Sequence, residues 1–151
     1  VLHRIHATHG ARAEYLSLLA GALRAVVQRL MQGGRLAEVV QPAQEAIQVY
    51  RQAAGVSAGE SVMELSADLL TLSLWLADVP EPAEAIAAAQ AAVDVLHAIQ
   101  PPPGARAEYL SLLADALRDL AKRMVQAGRP DEATKPTQEA VQAEQQAASL
   151  N

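Results

Sequence analysis

Apolar residues recur along this chain at intervals of three and four. Leu16, Leu19, Leu23, Val26, Val27 and Leu30 form one such stripe, which predicts an amphipathic helix with a single buried face. Gly33-Gly34 then stops it. A second stripe follows at Val39, Val40, Ala43, Ala46, Ile47 and Tyr50. Further on, Leu110, Leu113, Leu117, Leu120 and Met124 repeat the first stripe, Gly128 repeats the stop, and Ala133, Thr137, Ala140 and Val141 repeat the second. Between these pairs, Pro82 sits at a first-turn position and Pro101-Pro102-Pro103 ends a helix. Pro42 and Pro136 fall about one and a half turns into their stripes, where proline costs a backbone hydrogen bond; a bend or a late helix start is expected at each. No window alternates with the period of two that a half-buried strand requires. The expected class is all-α.

The stripes belong to an internal repeat. Gly10–Ala20 and Gly104–Ala114 are identical in sequence, and Gly34-Arg35, Glu38, Pro42 and Gln44-Glu45-Ala46 return as Gly128-Arg129, Glu132, Pro136 and Gln138-Glu139-Ala140. Roughly 60% of positions match at a spacing of about 94. A diverged copy lies between: at a shift of about 46, Leu23, Val26, Leu30, Glu38, Gln44 and Ile47 fall on Leu69, Leu72, Leu76, Glu84, Gln90 and Val93. The period is therefore about 46–48 residues, within the range of stacked helical hairpins. Three units are expected, at 10–54, 55–100 and 101–151. Val1-Leu2-His3 and Ile5 match Val95-Leu96-His97 and Ile99, so residues 1–9 are expected to finish the last helix of a preceding unit in a longer protein. Stacking units bury the stripes that a single hairpin leaves open, and the ends of the stack expose apolar surface.

Composition narrows the function classes. The 151 residues carry a net charge of −5 with no basic stripe, which argues against nucleic-acid binding. There is no cysteine, which removes disulfides, thiolate metal sites and cysteine nucleophiles. No apolar run is long enough for a membrane span, and residues 1–10 lack the apolar core of a signal peptide. A soluble, cytoplasmic protein is expected. Aromatics are sparse, with one Trp, three Tyr and no Phe.

Candidate chemistry is thin. His3, His6 and His9 are spaced by three, a spacing that can aim imidazoles at a metal from one helix face, but Gly10 follows and a solvated cluster near a terminus is the expected reading. Tyr15 and Tyr109 are repeat equivalents, expected to pack between units, and Trp75 is expected to fill space between hairpins. Glu14, Glu38, Glu45, Glu84, Glu132 and Glu139 recur at repeat-surface positions, where ion pairing and helix N-terminal placement account for them. No nucleophile triad, phosphate loop or dinucleotide fingerprint is present. No enzyme activity, cofactor or metal is expected.

The stretches Leu19 to Ile47 and Leu113 to Val141, with Gly-Arg-x-x-Glu at the turn and Glu-x-x-x-x-x-x-Glu-Ala-[Ile/Val] in the second helix, resemble tetratricopeptide repeats. The likeness is strongest to the elongated variant akin to kinesin light chain repeats. The long period leaves a HEAT-like hairpin array as the alternative. The resemblance implies a right-handed α-α superhelix whose first helices line a concave groove, and a scaffold module that binds a protein or peptide within a larger protein. On that geometry Arg24, Gln28, Leu70, Leu74, Arg118 and Lys122 would face the groove, cationic at both ends and apolar in the middle, suited to a segment with acidic and apolar residues. A structural spacer, or self-association through the exposed ends of the stack, is the competing expectation.

Overall fold

The computed structural model describes the backbone of residues 2–150 and the side chains of residues 10–150. Six α-helices run in the order α1 (Leu2–Gln32), α2 (Val40–Gly55), α3 (Gly59–Leu76), α4 (Ala83–His97), α5 (Arg106–Gln126) and α6 (Thr134–Ser149). Short 3-10 turns at Leu36–Glu38 and Pro130–Ala133 precede α2 and α6. The class is all-α. The helices pair as hairpins α1/α2, α3/α4 and α5/α6, and among the described residues each hairpin touches only its neighbours in sequence.

The first and third hairpins turn by the same device. Gly34 and Gly128 adopt φ of 71° and 77°, which a side chain would oppose. The amide of the next residue then reaches back five residues, Arg35 N–H to the Leu30 carbonyl and Arg129 N–H to the Met124 carbonyl, each at 2.9 Å. This is the glycine-terminated helix end in which orphan carbonyls are satisfied. The arginine side chain then grips the glutamate three residues on, Arg35 to Glu38 and Arg129 to Glu132, as bidentate pairs. The Gly-Arg-x-x-Glu motif is thus a turn and its clasp. Its 3-10 segment delays α2 and α6, so Pro42 and Pro136 become third residues of their helices. There the missing N–H has no intrahelical acceptor to lose, and the late start, rather than a bend, resolves both prolines.

The core is aliphatic and small. Tyr50, Leu69, Leu72, Leu76, Leu96, Leu117 and Val27 are its largest fully enclosed side chains, surrounded by alanines. In α4, Ala85, Ala88, Ala89, Ala91 and Ala92 are all buried, which lets α2, α3 and α5 approach it closely. Two enclosed serines tie α3 to α4: the Ser66 hydroxyl donates to the Ala92 carbonyl at 3.0 Å, and Ser73 to the Ala85 carbonyl at 3.1 Å.

Two expectations are corrected. A break near residue 9 was expected, yet α1 runs unbroken across it. Ala7-Thr8-His9 stand where the third unit has Pro101-Pro102-Pro103, and Gly10 does not share the positive φ of Gly104. Without the prolines nothing forces the backbone out of the helix. Tyr15 and Tyr109, expected to pack alike, also differ. Tyr109 is buried and its hydroxyl donates to the Leu96 carbonyl at 2.7 Å, whereas Tyr15 is 63% exposed because, among the described residues, no helix lies on that side of α1. The side chains of His3, His6 and His9 lie outside the described residues.

Candidate binding surfaces

Arg24 leaves the side of α1 toward α3. Its guanidinium lies 3.3 Å from the Asp68 carboxylate and over the Trp75 ring, 5.8 Å from the centroid. Trp75 is half-buried against the core, so it packs between the first two hairpins as its isolation in the sequence suggested. The Tyr50 hydroxyl joins the cluster by donating to Asp68 at 3.5 Å. Burial, followed by the nearby Asp68 carboxylate, pushes the Tyr50 phenol well above its ordinary range. Arg118, the repeat equivalent of Arg24, folds back onto Glu144 of α6 in a bidentate pair, and Glu144 stands where the first unit has Tyr50. Both arginines expected to offer cations to an acidic ligand therefore have carboxylate partners. Leu70 is half-buried in the core. Of the six expected groove residues, Gln28, Leu74 and Lys122 remain open; they occupy equivalent positions on the adjacent helices α1, α3 and α5, with Leu74 59% exposed at the centre.

A deeper feature lies on the opposite side, where the second helices run. There α2 and α4 pack directly, bridged by Gln44 donating to Glu84 at 3.0 Å and by Arg51 with Asp94 at 3.0 Å. By contrast, α4 and α6 make no backbone contact among the described residues. The repeat explains the difference. Ala87, Ala88 and Ala91 of α4 are replaced in α6 by Lys135, Pro136 and Glu139. The bulkier side chains hold α6 off, and among the described residues the His97–Glu139 pair is the polar contact that spans the gap.

What opens is a cleft of about 500 Å³. Val93, Leu117, Leu120 and Met124 form its apolar floor; Asp131, Glu132, Lys135 and Glu139 rim it. Its volume falls within the range of small-ligand and side-chain pockets. The rim is predominantly acidic. Hydrogen bonds from Arg129 hold the Glu132 carboxyl below its ordinary range, so it stays ionised at neutral pH. Burial, with a further contribution from the Glu139 carboxylate, pushes the nearby Tyr109 phenol upward. Only the contrast between alanine and bulky residues at matching repeat positions could have revealed this cleft from the sequence.

Glu84 departs from the expected surface pattern, and Asp119, for which no expectation was made, is enclosed as well. Glu84 is buried in the first turn of α4, with one oxygen on Gln44 and the other without a protein partner. Asp119 and Arg123 form a largely enclosed pair on α5, at 2.9 Å, and Arg123 is also held by the Gln126 side-chain oxygen at 2.7 Å. Among the described residues no three potential ligands from His, Asp or Glu converge on a metal position. No described helix is long and apolar enough to cross a membrane. No family model, curated protein or solved structure matches the chain.

Proposed function

We propose that the chain is a tetratricopeptide-like hairpin array that binds a protein segment, seating an apolar side chain of that segment in the cleft between α4 and α6. The observation that carries this reading is the cleft itself: a preformed apolar floor beneath a rim bearing Asp131, Glu132 and Glu139. An apolar anchor flanked by a lysine or arginine satisfies both parts, since the anchor replaces water over Leu120 and Met124 while the cation meets the rim. The right-handed superhelix is part of the same proposal, supported by contacts confined to neighbouring hairpins and by the repeated turn device. The acidic segment expected from sequence is less well served: Arg24 and Arg118 have carboxylate partners, and although Arg129 and His97 likewise hold Glu132 and Glu139, the rim's Asp131 makes no ion pair among the described residues.

Selection from a random peptide library tests the proposal. Enriched peptides should carry a bulky apolar residue within about two positions of a basic one, and Asp131→Lys with Glu132→Lys should weaken them by about tenfold or more. Amide shifts should concentrate on Val93, Leu120 and Glu139. Enrichment of acidic peptides whose binding depends on Lys122 or Leu74 would transfer the function to the other face and overturn the proposal.

A further inference from the structure

Each unit carries an equivalent glutamate at the turn into its second helix, Glu38, Glu84 and Glu132, and this residue takes two positions. In the first and third units the arginine three residues earlier holds it in a bidentate pair, and the carboxylate stands about half exposed in solvent. In the middle unit Glu81 occupies the arginine position. With no cation to hold it and a like charge beside it, Glu84 turns inward. It is 7% exposed, accepts from the Gln44 amide of the preceding second helix at 3.0 Å, and leaves its other oxygen without a protein partner. Burying a half-satisfied carboxylate is costly, so the inward position is taken where the outward one offers no partner. The junction it enters, between α2 and α4, is the closed one.

The cleft lies at the equivalent place one junction further on. Its wall carries Gln90, the repeat equivalent of Gln44, and its rim carries Glu132, the equivalent of Glu84. Here the two side chains do not pair. Glu132 faces Arg129, and the Gln90 amide donates to Asp94 of its own helix at 2.9 Å. We propose that Arg129 is a positioning residue for the cleft: it holds Glu132 out of the mouth, and without it Glu132 turns in toward Gln90 and occludes the apolar floor. The clasp is not what builds the turn. Gly128, the bond from the Arg129 amide to the Met124 carbonyl and the bond from the Glu132 amide to the Arg129 carbonyl form it from backbone, and the middle unit turns with no arginine at this place. What the Arg129 side chain adds is the direction of Glu132. The effect on ligand binding rests on the reading of the cleft as the binding site; the position of Glu132 does not.

Phenethylamine, an apolar ring joined to an ammonium, serves as the probe, and the amide shifts of Val93 and Leu120 in the whole chain report its binding. Arg129→Glu copies the middle unit. Electrostatics alone adds an acid to the rim and tightens a cationic probe, whereas occlusion weakens it, by at least about fivefold. Arg129→Gln, which adds no charge, should weaken it in the same direction. Adding Glu132→Ala to Arg129→Glu should restore binding, since the occluding side chain is gone even though the rim has lost a carboxylate; damage to the turn would not be repaired this way. Nuclear Overhauser contacts between the Gln90 side-chain amide and the Glu132 methylenes should be absent from the native chain and appear in Arg129→Glu, with circular dichroism confirming that the variants stay helical. Unchanged or tighter probe binding in Arg129→Glu, no recovery in the double variant, or no contact between Gln90 and Glu132 would each overturn the proposal. A native chain whose Val93 and Leu120 ignore phenethylamine would instead remove the cleft as the binding site, and the Gln90–Glu132 contacts would then decide the role of Arg129 by themselves: their appearance in Arg129→Glu supports it and their absence overturns it.

Discussion

Tyr15 and Tyr109 occupy the same repeat position within identical eleven-residue sequences, so local propensity cannot distinguish them. Their environments can. Tyr109 is 8% exposed and its hydroxyl donates to Leu96 at 2.7 Å. Truncating an aromatic side chain this buried costs about 3–5 kcal/mol, combining lost transfer energy with the cavity left behind. Tyr109→Phe isolates the hydrogen bond. The Leu96 carbonyl keeps a 3.3 Å bond from the Ile99 amide, so it is not orphaned and the loss should be about 0.5–1 kcal/mol. Tyr15 is 63% exposed, and Tyr15→Ala should stay within about 0.5 kcal/mol in the dilute monomer. For a chain of this size each kcal/mol moves Tm by about 2–4 °C, so Tyr109→Ala should lower it by about 6–20 °C and Tyr15→Ala by less than about 2 °C. Urea denaturation followed by circular dichroism at low micromolar concentration measures all three. A Tyr15→Ala cost above about 2 kcal/mol under those conditions would refute the reasoning, because that side chain would then be buried in solution.

The turn glycines offer a neighbouring pair for comparison. Gly34→Ala should cost about 1–2 kcal/mol, since its Cβ has room but its φ of 71° opposes a side chain. Gly33→Ala should be neutral or stabilising by up to about 1 kcal/mol, because its Cβ comes no closer than 3.4 Å to any neighbour at an ordinary backbone conformation; thermal melts of the two variants give the comparison. At the other junction, Asp68→Ala should cost about 1–3 kcal/mol, because it removes a partly solvated pair with Arg24 and also leaves the hydroxyl of the enclosed Tyr50 without its acceptor, while loosening Arg24 from Trp75 should shift the emission of the single tryptophan. Alkaline titration should unfold the protein: the Tyr50 and Tyr109 phenols are raised above their unfolded value near 10. Their stabilising contribution is thus intact below that value and lost as pH rises from it toward the folded values. A helical signal unchanged to pH 12 would contradict the burial of both.

The architecture was legible because the repeat could be compared with itself. Identical stripes and stops at two places in one chain fixed the helix pairs, and the doubled proline position announced a shared device before its geometry was known. What escaped was whatever depends on the difference between equivalent positions. Arg24 and Arg118 read as one kind of groove cation, yet one reaches the next hairpin's Asp68 and the other turns back to Glu144, because Glu144 replaced Tyr50. Periodicity reports which face of a helix is apolar; it does not report how far away the neighbouring helix sits. The cleft arises from that distance, set by Lys135, Pro136 and Glu139 where α4 has alanines, and single-helix patterning does not register a change from small to bulky on a face that is already partly polar. The outer stripe of α1 is the converse case. Its pattern is plain in the sequence and its α5 equivalent is buried, so only the arrangement of the described helices determines whether the same residues are enclosed or exposed. In a repeat protein, then, local sequence sets the unit, and function enters where one unit departs from the next.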